Sequence, residues 1–404
     1  MTTTLSARRA LVIALAVGVV GWVALWFGTT PRAGWDSLVY HKHALEYAGL
    51  APAKADALSW QIFTRYADPD LVGYVTASLD GEDWHFPAEP DGRWALQYRM
   101  RPAYPALVAA AYPVLGARAP LAVSAFAVVL FVMSTFVGMF LLAGIRVAVV
   151  ATGLGMLNVL LTQWLVALAP DGLAIALWAV TLSTGALWMA QRRPIWLGAL
   201  ALAVLGLCLT RPLGVLAPLV FLLCAVGAAV ARAREWRAFL VATIVAAVPA
   251  VAVTALFAAA GFPGWMDLLQ DLPTGHFTVP DVPDPIGWII NNALFHLNGA
   301  MTLGLAVRPV LLLALAGSVV GLLLPRRWWT VPFIAALPVV LLSHLLHPVT
   351  TELDRTLAPA WVSIHAGIAL LLVLGAVRWR PQVLAAVESF TRPEGQPEER
   401  TPPR

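Results

Sequence analysis

The chain has 404 residues, of which 60% are hydrophobic and only 12% are charged, and its formal net charge is +4. A soluble domain carries about 25% charged residues, and apolar runs of about 20 residues recur along this sequence. The composition therefore excludes an ordinary soluble protein and predicts an all-α polytopic membrane protein. The arginines lie mostly at the ends of apolar runs, where the positive-inside rule accounts for them, so the charge does not indicate nucleic-acid binding.

The hydrophobic pattern predicts about ten transmembrane helices. Residues 1–28 contain Arg8 and Arg9 before an apolar stretch but lack a clear cleavage site, so we interpret them as a retained first helix. With a cytoplasmic N-terminus, the basic loops at Arg146, 192–193, 232–237, 326–327 and 378–380 all fall inside. The predicted spans are 10–28, 119–144, 147–168, 171–190, 194–210, 212–231, 238–260, 302–324, 329–346 and 357–376.

The segment Pro102–Gly116 is apolar but short for a span. If it crossed the membrane, Arg146 would move outside and the charge pattern would fail. We therefore predict that this segment is a helix that lies against the outer face or dips into it.

Two long external loops interrupt a single integral-membrane domain that covers residues 1–376. The first loop is 29–118 and the second is 261–301, and the polar tail 377–404 is predicted to be disordered and cytoplasmic. The start of the first loop, Asp36–Gly49, is predicted to be an amphipathic juxtamembrane helix, with Tyr40, Ala44 and Tyr47 on one face. Loops of this length usually bind something or are disordered.

Asp36 follows the first span and is a candidate general base for an acceptor hydroxyl. The alternative is an ordinary interfacial aspartate that favours the N-terminal dipole of a helix. His41 and His43 follow closely, but this spacing is no recognised metal site, so we predict solvated helix polar groups and no metal ligands.

Basic and acidic residues also occur where spans begin or meet. Arg101 lies in the element Tyr98–Pro105 at the start of the short apolar helix, where it could hold a phosphate or reach lipid headgroups. Pro170-Asp171-Gly172 opens a span, and Thr210-Arg211-Pro212 joins two spans with almost no loop. Because ionisable residues among apolar helices are costly, Asp171 and Arg211 are expected to be functional, or to form a structural ion pair.

The last external loop carries His347, Glu352, Asp354 and Arg355, which could complete a polar site or cap the final helix. In the second long loop His276 is a further candidate. The sequence contains no Walker loop, no dinucleotide-binding turn, no nucleophile elbow and no zinc signature. An activated donor delivered by the membrane fits this pattern better than nucleotide hydrolysis.

Four elements occur in order: an acidic residue after the first span, an Arg-Pro-x-Tyr-Pro element, a Pro-Asp-Gly span start and a Thr-Arg-Pro element. Together they resemble the GT-C integral-membrane glycosyltransferases, a group that includes protein O-mannosyltransferases and the aminoarabinose transferases of lipid A. The resemblance covers about residues 10–235.

The resemblance implies an inverting glycosyltransferase that uses a polyprenyl-phosphate sugar at the outer face of a bacterial cell membrane. Asp36 would be the catalytic base, and the acceptor would be a glycan, a lipid or a protein. No cofactor is required, although a divalent cation stays open because Ser37 replaces the second acidic residue of many members. The alternative is a transporter or flippase for a lipid-linked or anionic substrate, which would hold ionisable residues near the bilayer midplane. The residues expected to contact the substrate are Arg101, Tyr104, Asp171, Arg211, Tyr40 and His43.

Overall fold

The structure is a computed structural model, and it describes residues 12–13, 16–23, 32–78, 92–277, 279–300, 307–346 and 353–391. The described residues form helices joined by turns and short connections, with one isolated bridge between Ala33 and Ala67. Residues 16–23 are helical, and eighteen α-helices follow them. These are α1 (Trp35–Tyr47), α2 (Pro52–Tyr66), α3 (Pro69–Ser78), α4 (Arg93–Arg99), α5 (Ala103–Leu115), α6 (Ala119–Ala143), α7 (Ile145–Leu157), α8 (Val159–Leu165), α9 (Pro170–Gln191), α10 (Pro194–Cys208), α11 (Leu213–Val230), α12 (Trp236–Ala259), α13 (Trp265–Gln270), α14 (Pro285–Ala300), α15 (Val307–Leu323), α16 (Val331–Leu345), α17 (Leu353–Leu357) and α18 (Ala360–Thr391).

Several helices are long and apolar enough to cross a membrane. Five qualify by length and composition, and α7 with α8 would make a sixth if that bent pair is one span. Large apolar side chains such as Val226, Ile244 and Val251 lie exposed on the outer surfaces of these helices, as a lipid-facing surface requires. The five are Ala103–Ala143, Pro170–Gln191, Leu213–Val230, Trp236–Ala259 and Trp328–Leu345.

Three further predicted spans correspond to shorter apolar helices, Pro194–Cys208, Leu312–Leu323 and Ala360–Ala376. A helix of 15 residues, such as α10, is about 22 Å long, which is less than the hydrocarbon core of about 30 Å. The all-helical membrane class is therefore confirmed. Five or six helices are long and apolar enough to cross a membrane, rather than the ten that the sequence predicted.

The short apolar segment at 103–115 is α5, and a single 3₁₀ turn joins it to α6. The two helices together form one candidate span of 41 residues. At 1.5 Å per residue this is about 60 Å, twice the hydrocarbon thickness. Because α6 alone is long enough to cross, α5 adds no separate crossing to the count.

The span predicted at 147–168 is broken. Helices α7 and α8 meet at an angle of 77°, and Asn158 lies at the break with its side chain accepting a hydrogen bond from the Leu160 backbone amide at 3.0 Å. An asparagine in this position caps a new helix and competes with continuation of the old one. The Asn158 side-chain amide also contacts His365 Nε2 of α18 at 3.1 Å.

The core is centred on α9, which packs against α6, α10 and the segment Trp328–Thr330. Trp178 and Leu182 in the middle of α9 are completely buried. Helix α9 begins at Pro170, has Asp171 in its first turn and ends beside Arg192 and Arg193, so one end is acidic and the other is basic. The core also contains side chains from α6, α7, α11, α12, α16 and α18.

Two predictions about the first loop and the tail need correction. Helix α1 is not amphipathic, because α2 and α5 pack on it and bury most of its side chains, including both histidines. The second long loop contains α13 and α14. Helix α18 continues to Thr391, past the start of the predicted disordered tail, because residues 382–390 are mostly good helix formers.

Candidate functional site

Four charged side chains meet where several helices begin or end. Asp36 lies in the first turn of α1, and Asp171 lies in the first turn of α9. Arg211 occupies the short connection between α10 and α11, and Arg355 lies on α17. We call these four residues the aspartate–arginine cluster.

Backbone hydrogen bonds between distant segments bring these elements together. The Leu168 amide donates to the Arg32 carbonyl at 3.1 Å, which places the start of α1 beside the start of α9. The Ala103 amide donates to the Leu209 carbonyl at 3.0 Å, which places the start of α5 beside the connection that carries Arg211. Both pairs join chain segments that hold candidate residues of the sequence pattern.

Arg355 bridges the two carboxylates. Its Nη2 lies 2.6 Å from Asp36 Oδ2 and 3.0 Å from Asp171 Oδ2, and its Nε lies 2.9 Å from Asp171 Oδ1. Arg211 also forms an ion pair with Asp171 through Oδ1. The Asp171–Arg211 pair expected as the structural alternative is therefore present, but it forms part of a larger network.

The sequence around Asp171 explains why α9 begins here. Pro170 occupies the first turn, where its fixed φ and missing amide hydrogen are tolerated. A Cβ atom at Gly172 would collide with the Leu165 carbonyl oxygen at the end of α8. Glycine at this position therefore allows the backbones of α8 and α9 to approach closely, which fixes Asp171 beside the end of α8.

The two aspartates differ in access. The Asp36 side chain keeps 23% of its surface exposed, whereas that of Asp171 keeps 7%. Both line a cavity of about 370 Å³, together with Arg355 and the aromatic side chains Trp35 and Trp164. A cavity of this volume falls within the usual range for small-molecule sites. Asp36 is the carboxylate that a bound molecule reaches more easily.

The neighbours of Asp36 keep it ionised. Burial alone would raise the pKa of its carboxyl, but Arg355 and Arg211 outweigh burial and lower the pKa below its ordinary value. The Tyr98 hydroxyl donates to Asp36 Oδ1 at 2.9 Å. Burial and the nearby carboxylate raise the pKa of Tyr98 well above its ordinary value, so this phenol stays protonated as a donor.

Arg101 lies beside this cluster without touching a carboxylate. Its Nη1 donates to the Tyr40 hydroxyl at 2.8 Å, and its guanidinium lies 5.8 Å from the centre of the Tyr98 ring. Arg101 also lines a second, smaller cavity of about 80 Å³ with apolar neighbours that include Val215 and Phe257. Arg101 therefore connects the edge of the cluster with an apolar cavity.

Of the six predicted substrate contacts, only Asp171 lines the main cavity. Tyr104 is completely buried, and its hydroxyl contacts His41 Nε2 at 3.3 Å. His43 is also buried, so the prediction that these histidines are solvated is wrong. Burial lowers the pKa of His41 to about 3 and contributes most to lowering that of His43 to about 4, so both are neutral at pH 7.

The segment after α16 contributes more than the sequence indicated. Asp354 Oδ2 accepts hydrogen bonds from Gln163 at 2.7 Å and from the Trp164 indole at 3.1 Å. Thr356 contacts His344 at 2.8 Å. Glu352 and His347 lie outside the described residues. The sequence left Arg355 between completing a site and capping a helix, and the tertiary contacts place it inside the cluster.

His276 belongs to a different group of residues. Its Nδ1 contacts Asp271 Oδ1 at 3.0 Å on the chain between α13 and α14. Nearby, Arg93 forms an ion pair with Asp281 at 2.8 Å, which connects the segments 29–118 and 261–301. His276 is therefore not a member of the aspartate–arginine cluster.

Sequence reasoning missed Tyr98, Gln163 and Trp164 as members or neighbours of the site. Tyr98 was visible as part of the element around Arg101, but nothing in the sequence paired its hydroxyl with Asp36. Gln163 and Trp164 lie inside a predicted apolar span and carry no motif. Among the described residues, no group of three or more His, Cys, Asp or Glu side chains could hold a metal ion.

No protein-family model matches this chain, and no curated protein matches it. The fold and the site alone therefore define its class. It is an all-helical protein with several helices able to cross a membrane, and it holds a largely buried cluster of two aspartates and two arginines beside a cavity.

Proposed function

We propose that this chain is an integral-membrane glycosyltransferase that moves a sugar from a polyprenyl-phosphate donor to an acceptor with inversion. The observation that carries the proposal is Asp36, a cavity-facing carboxylate held beside Arg355 and Tyr98. A carboxylate next to arginines provides a base and an anion-binding group within one site.

In the proposed reaction, an acceptor hydroxyl oxygen attacks the anomeric carbon of the donor sugar. Asp36 accepts the hydroxyl proton, a new C–O bond forms, and the bond between that carbon and the phosphate oxygen breaks. The electron pair of the broken bond leaves with the polyprenyl phosphate. Arginines stabilise the negative charge that develops on the departing phosphate.

The charges of the site support a donor with a single negative charge. Asp36 and Asp171 supply two negative charges, while Arg101, Arg211 and Arg355 supply three positive charges, which leaves an excess of one. A polyprenyl-phosphate sugar is a phosphodiester with one negative charge. Arginine binds phosphate oxygens through paired N–H groups.

The apolar cavity beside Arg101 supports a lipid-linked donor. Its lining includes Pro212, Val215, Phe257 and Leu268 together with Arg101. In this arrangement an isoprenoid chain would pack on apolar side chains while its phosphate lies near a guanidinium. In the main cavity, Trp35 and Trp164 offer aromatic surfaces for the C–H face of a sugar ring.

The proposed topology has ten crossings, cytoplasmic termini and a site that faces outwards in a bacterial cell membrane. Its support is the distribution of charge along the helices. Helices α9 and α11 each begin near the cluster and end beside basic residues, which are 192–193 and 232–237. The positive-inside rule then assigns the basic ends to the cytoplasm.

The proposal is tested by incubating the purified protein with a panel of labelled polyprenyl-phosphate sugars and candidate acceptors. We expect transfer from at least one donor, with release of polyprenyl phosphate. Arg101→Ala should weaken donor binding, and Arg101→Lys should restore it only in part because an ammonium is not a planar fork. Arg65→Ala, at an exposed arginine of α2, is the matched control. Transfer from none of the donors would contradict the proposal.

One observation favours the alternative of a transporter or flippase. The break between α7 and α8, with Asn158 contacting His365, is the kind of interrupted helix that transporters use at binding sites. Reconstitution in vesicles with a fluorescent lipid-phosphate distinguishes the two functions. Lipid movement without sugar transfer would favour the transporter.

A further inference from the structure

Arg355 holds Asp36 in a contact that weakens it as a base. Asp36 Oδ2 lies 2.6 Å from the Arg355 guanidinium, and Asp36 Oδ1 accepts the Tyr98 hydroxyl at 2.9 Å. Each oxygen can accept a second hydrogen bond, but the positive charge beside the carboxylate opposes transfer of a proton to it. The observed contacts therefore describe a resting state of the site.

If Arg355 moves away, each of the two carboxylates still has another hydrogen-bonding partner. Asp171 keeps its ion pair with Arg211, and Asp36 keeps its hydrogen bond from Tyr98. An unpaired buried carboxylate would be costly, and this arrangement avoids it. A guanidinium has five N–H groups, so the same side chain can bind a phosphate.

The backbone around Arg355 is anchored while its side chain faces the cavity. The preceding residue, Asp354, is held by Gln163 and Trp164, and the following residue, Thr356, contacts His344. The Arg355 guanidinium lies 5.4 Å from the centre of the Trp164 ring and lines the cavity of about 370 Å³.

We infer that Arg355 is a substrate-operated switch: it masks Asp36 in the free protein and moves to the donor phosphate when the donor binds, which unmasks the base. This inference rests on the proposed function. It makes Arg355 a positioning residue whose movement couples donor arrival to the readiness of Asp36.

The switch has a consequence for acidity. Asp36 faces Arg355 from α17, Tyr98 from α4 and Arg211 from the connection before α11, while Arg101, Asp171, Arg32 and Asp68 complete the charged and polar surroundings. When Arg355 leaves, Asp36 loses its nearest counter-ion and its pKa rises. A carboxylate with a higher pKa is a stronger base, so donor binding increases the basicity of Asp36 as well as its accessibility.

The test compares the pH dependence of kcat/KM, which reports the free protein, with that of kcat, which reports the donor complex. In the wild type we expect the acidic limb of kcat to lie at higher pH than that of kcat/KM, and coincident limbs would overturn the inference. In Arg355→Gln we expect the kcat/KM limb to move up by about one to three pH units while the kcat limb stays in place.

Two other outcomes of the Arg355→Gln experiment would also overturn the inference. If both limbs move together, Arg355 stays on Asp36 in the donor complex; if neither moves, Arg355 does not mask Asp36. Arg211→Gln is the matched control, because Arg211 forms its ion pair with Asp171 and not with Asp36. It should weaken donor binding and leave the limbs separated.

A binding experiment separates this inference from the proposed function. The probe is a polyprenyl methyl phosphate, a diester with one charge that does not titrate and no sugar to transfer. We expect its Kd to fall as pH decreases from 7 to 5 in the wild type, because binding raises the pKa of Asp36. In Arg355→Gln this pH dependence should be shallower. Equal pH dependence of Kd in both proteins would overturn the inference about Arg355. Absence of sugar transfer would contradict only the proposed glycosyltransferase activity.

Discussion

Two aspartates share one arginine but differ in what else surrounds them. Asp171 has two guanidinium partners and is almost completely buried, so it acts as the anchor that orients Arg211 and Arg355. Asp36 has one guanidinium and one phenol, and about a quarter of its side chain faces the cavity. The different surroundings therefore give two chemically identical carboxylates different roles: Asp171 orients the arginines, and Asp36 faces the cavity.

Asp36→Asn should abolish most transfer without unfolding the protein. The substitution preserves shape and removes the base, so the rate should fall by about 10²–10⁴. Donor binding should not weaken, because Arg101, Arg211 and Arg355 remain and the loss of the Asp36 charge leaves Arg355 available for the phosphate. The measurements are the transfer rate, donor affinity and thermal stability.

The matched control for this variant is Asp70→Asn, an exposed carboxylate in the same segment 29–118. It should transfer sugar at the wild-type rate. A folded Asp36→Asn protein with native transfer activity would remove the catalytic assignment.

The buried histidines of α1 predict how stability depends on pH. Burial lowers the pKa of His41 to about 3 in the folded protein, well below its unfolded value of about 6.5. Between these values the unfolded chain binds the proton more strongly, so stability is complete above pH 6.5 and declines as the pH falls towards 3. The loss should be about 2 kcal/mol at pH 5, and His43 should add a similar amount.

His41→Gln should flatten this decline, because glutamine does not titrate and can still hydrogen-bond the Tyr104 hydroxyl. The measurement is the thermal midpoint of purified protein between pH 7.5 and 4.5. The double variant with His43→Gln should flatten it further. An unchanged slope in His41→Gln would show that this histidine is not held neutral by the fold.

At the scale of elements, the start of α9 links local sequence to the site. Pro170 begins the helix, Asp171 joins the cluster, and Gly172 lets α9 approach the end of α8. Trp164 at that end lines the main cavity. One short motif therefore fixes both the anchor carboxylate and part of the cavity wall.

Gly172→Ala should destabilise the protein and reduce transfer. Its Cβ would collide with the backbone carbonyls of Leu165 and Trp164, and backbone atoms cannot rotate away as a side chain can. We expect a loss of about 1–3 kcal/mol, typical of overpacking. Thermal unfolding and transfer rate are the measurements.

Gly198→Ala in α10 provides the comparison, because nothing lies within 4 Å of an added Cβ there. Removing a helical glycine should leave stability unchanged or raise it by up to about 1 kcal/mol. Equal effects at positions 172 and 198 would contradict the close approach of α8 and α9.

At the scale of the whole molecule, the cluster and the basic connections occupy opposite ends of the same helices. Helices α9 and α11 each begin near the cluster, and each ends beside arginines. Elsewhere, helices pack closely through small residues, since Gly321 of α15 meets the Gly367 backbone of α18. Such close packing is common between membrane helices.

The proposed orientation predicts opposite labelling of the two ends. Ala77→Cys on α3 should react with an impermeant thiol reagent in intact cells, whereas Arg234→Cys should react only after permeabilisation. Both positions are exposed, and the native Cys208 and Cys224 are buried, so the background should be low. Labelling of Arg234→Cys in intact cells would reverse the orientation.

Much of the architecture was predictable because its cause is local. Apolar runs long enough to match a bilayer can bury their backbone groups only as helices, so the predicted spans and helices α6, α9, α11 and α12 agree closely. The break at Asn158 was missed because the surrounding residues are apolar on both sides, and one capping side chain decided the bend. The burial of α1 was missed because it depends on α2 and α5 packing over it.

The sequence alone determined that this is a helical membrane protein and that Asp36, Arg101, Asp171 and Arg211 are unusual polar residues among apolar helices, because hydropathy and charge are properties of each segment. Only the tertiary structure decided which of them meet. Arg355 lies 319 positions after Asp36 yet donates to it at 2.6 Å, and no local pattern encodes a contact between such distant segments. The arrangement of partners around Asp36 arises when separate helix ends pack at one place.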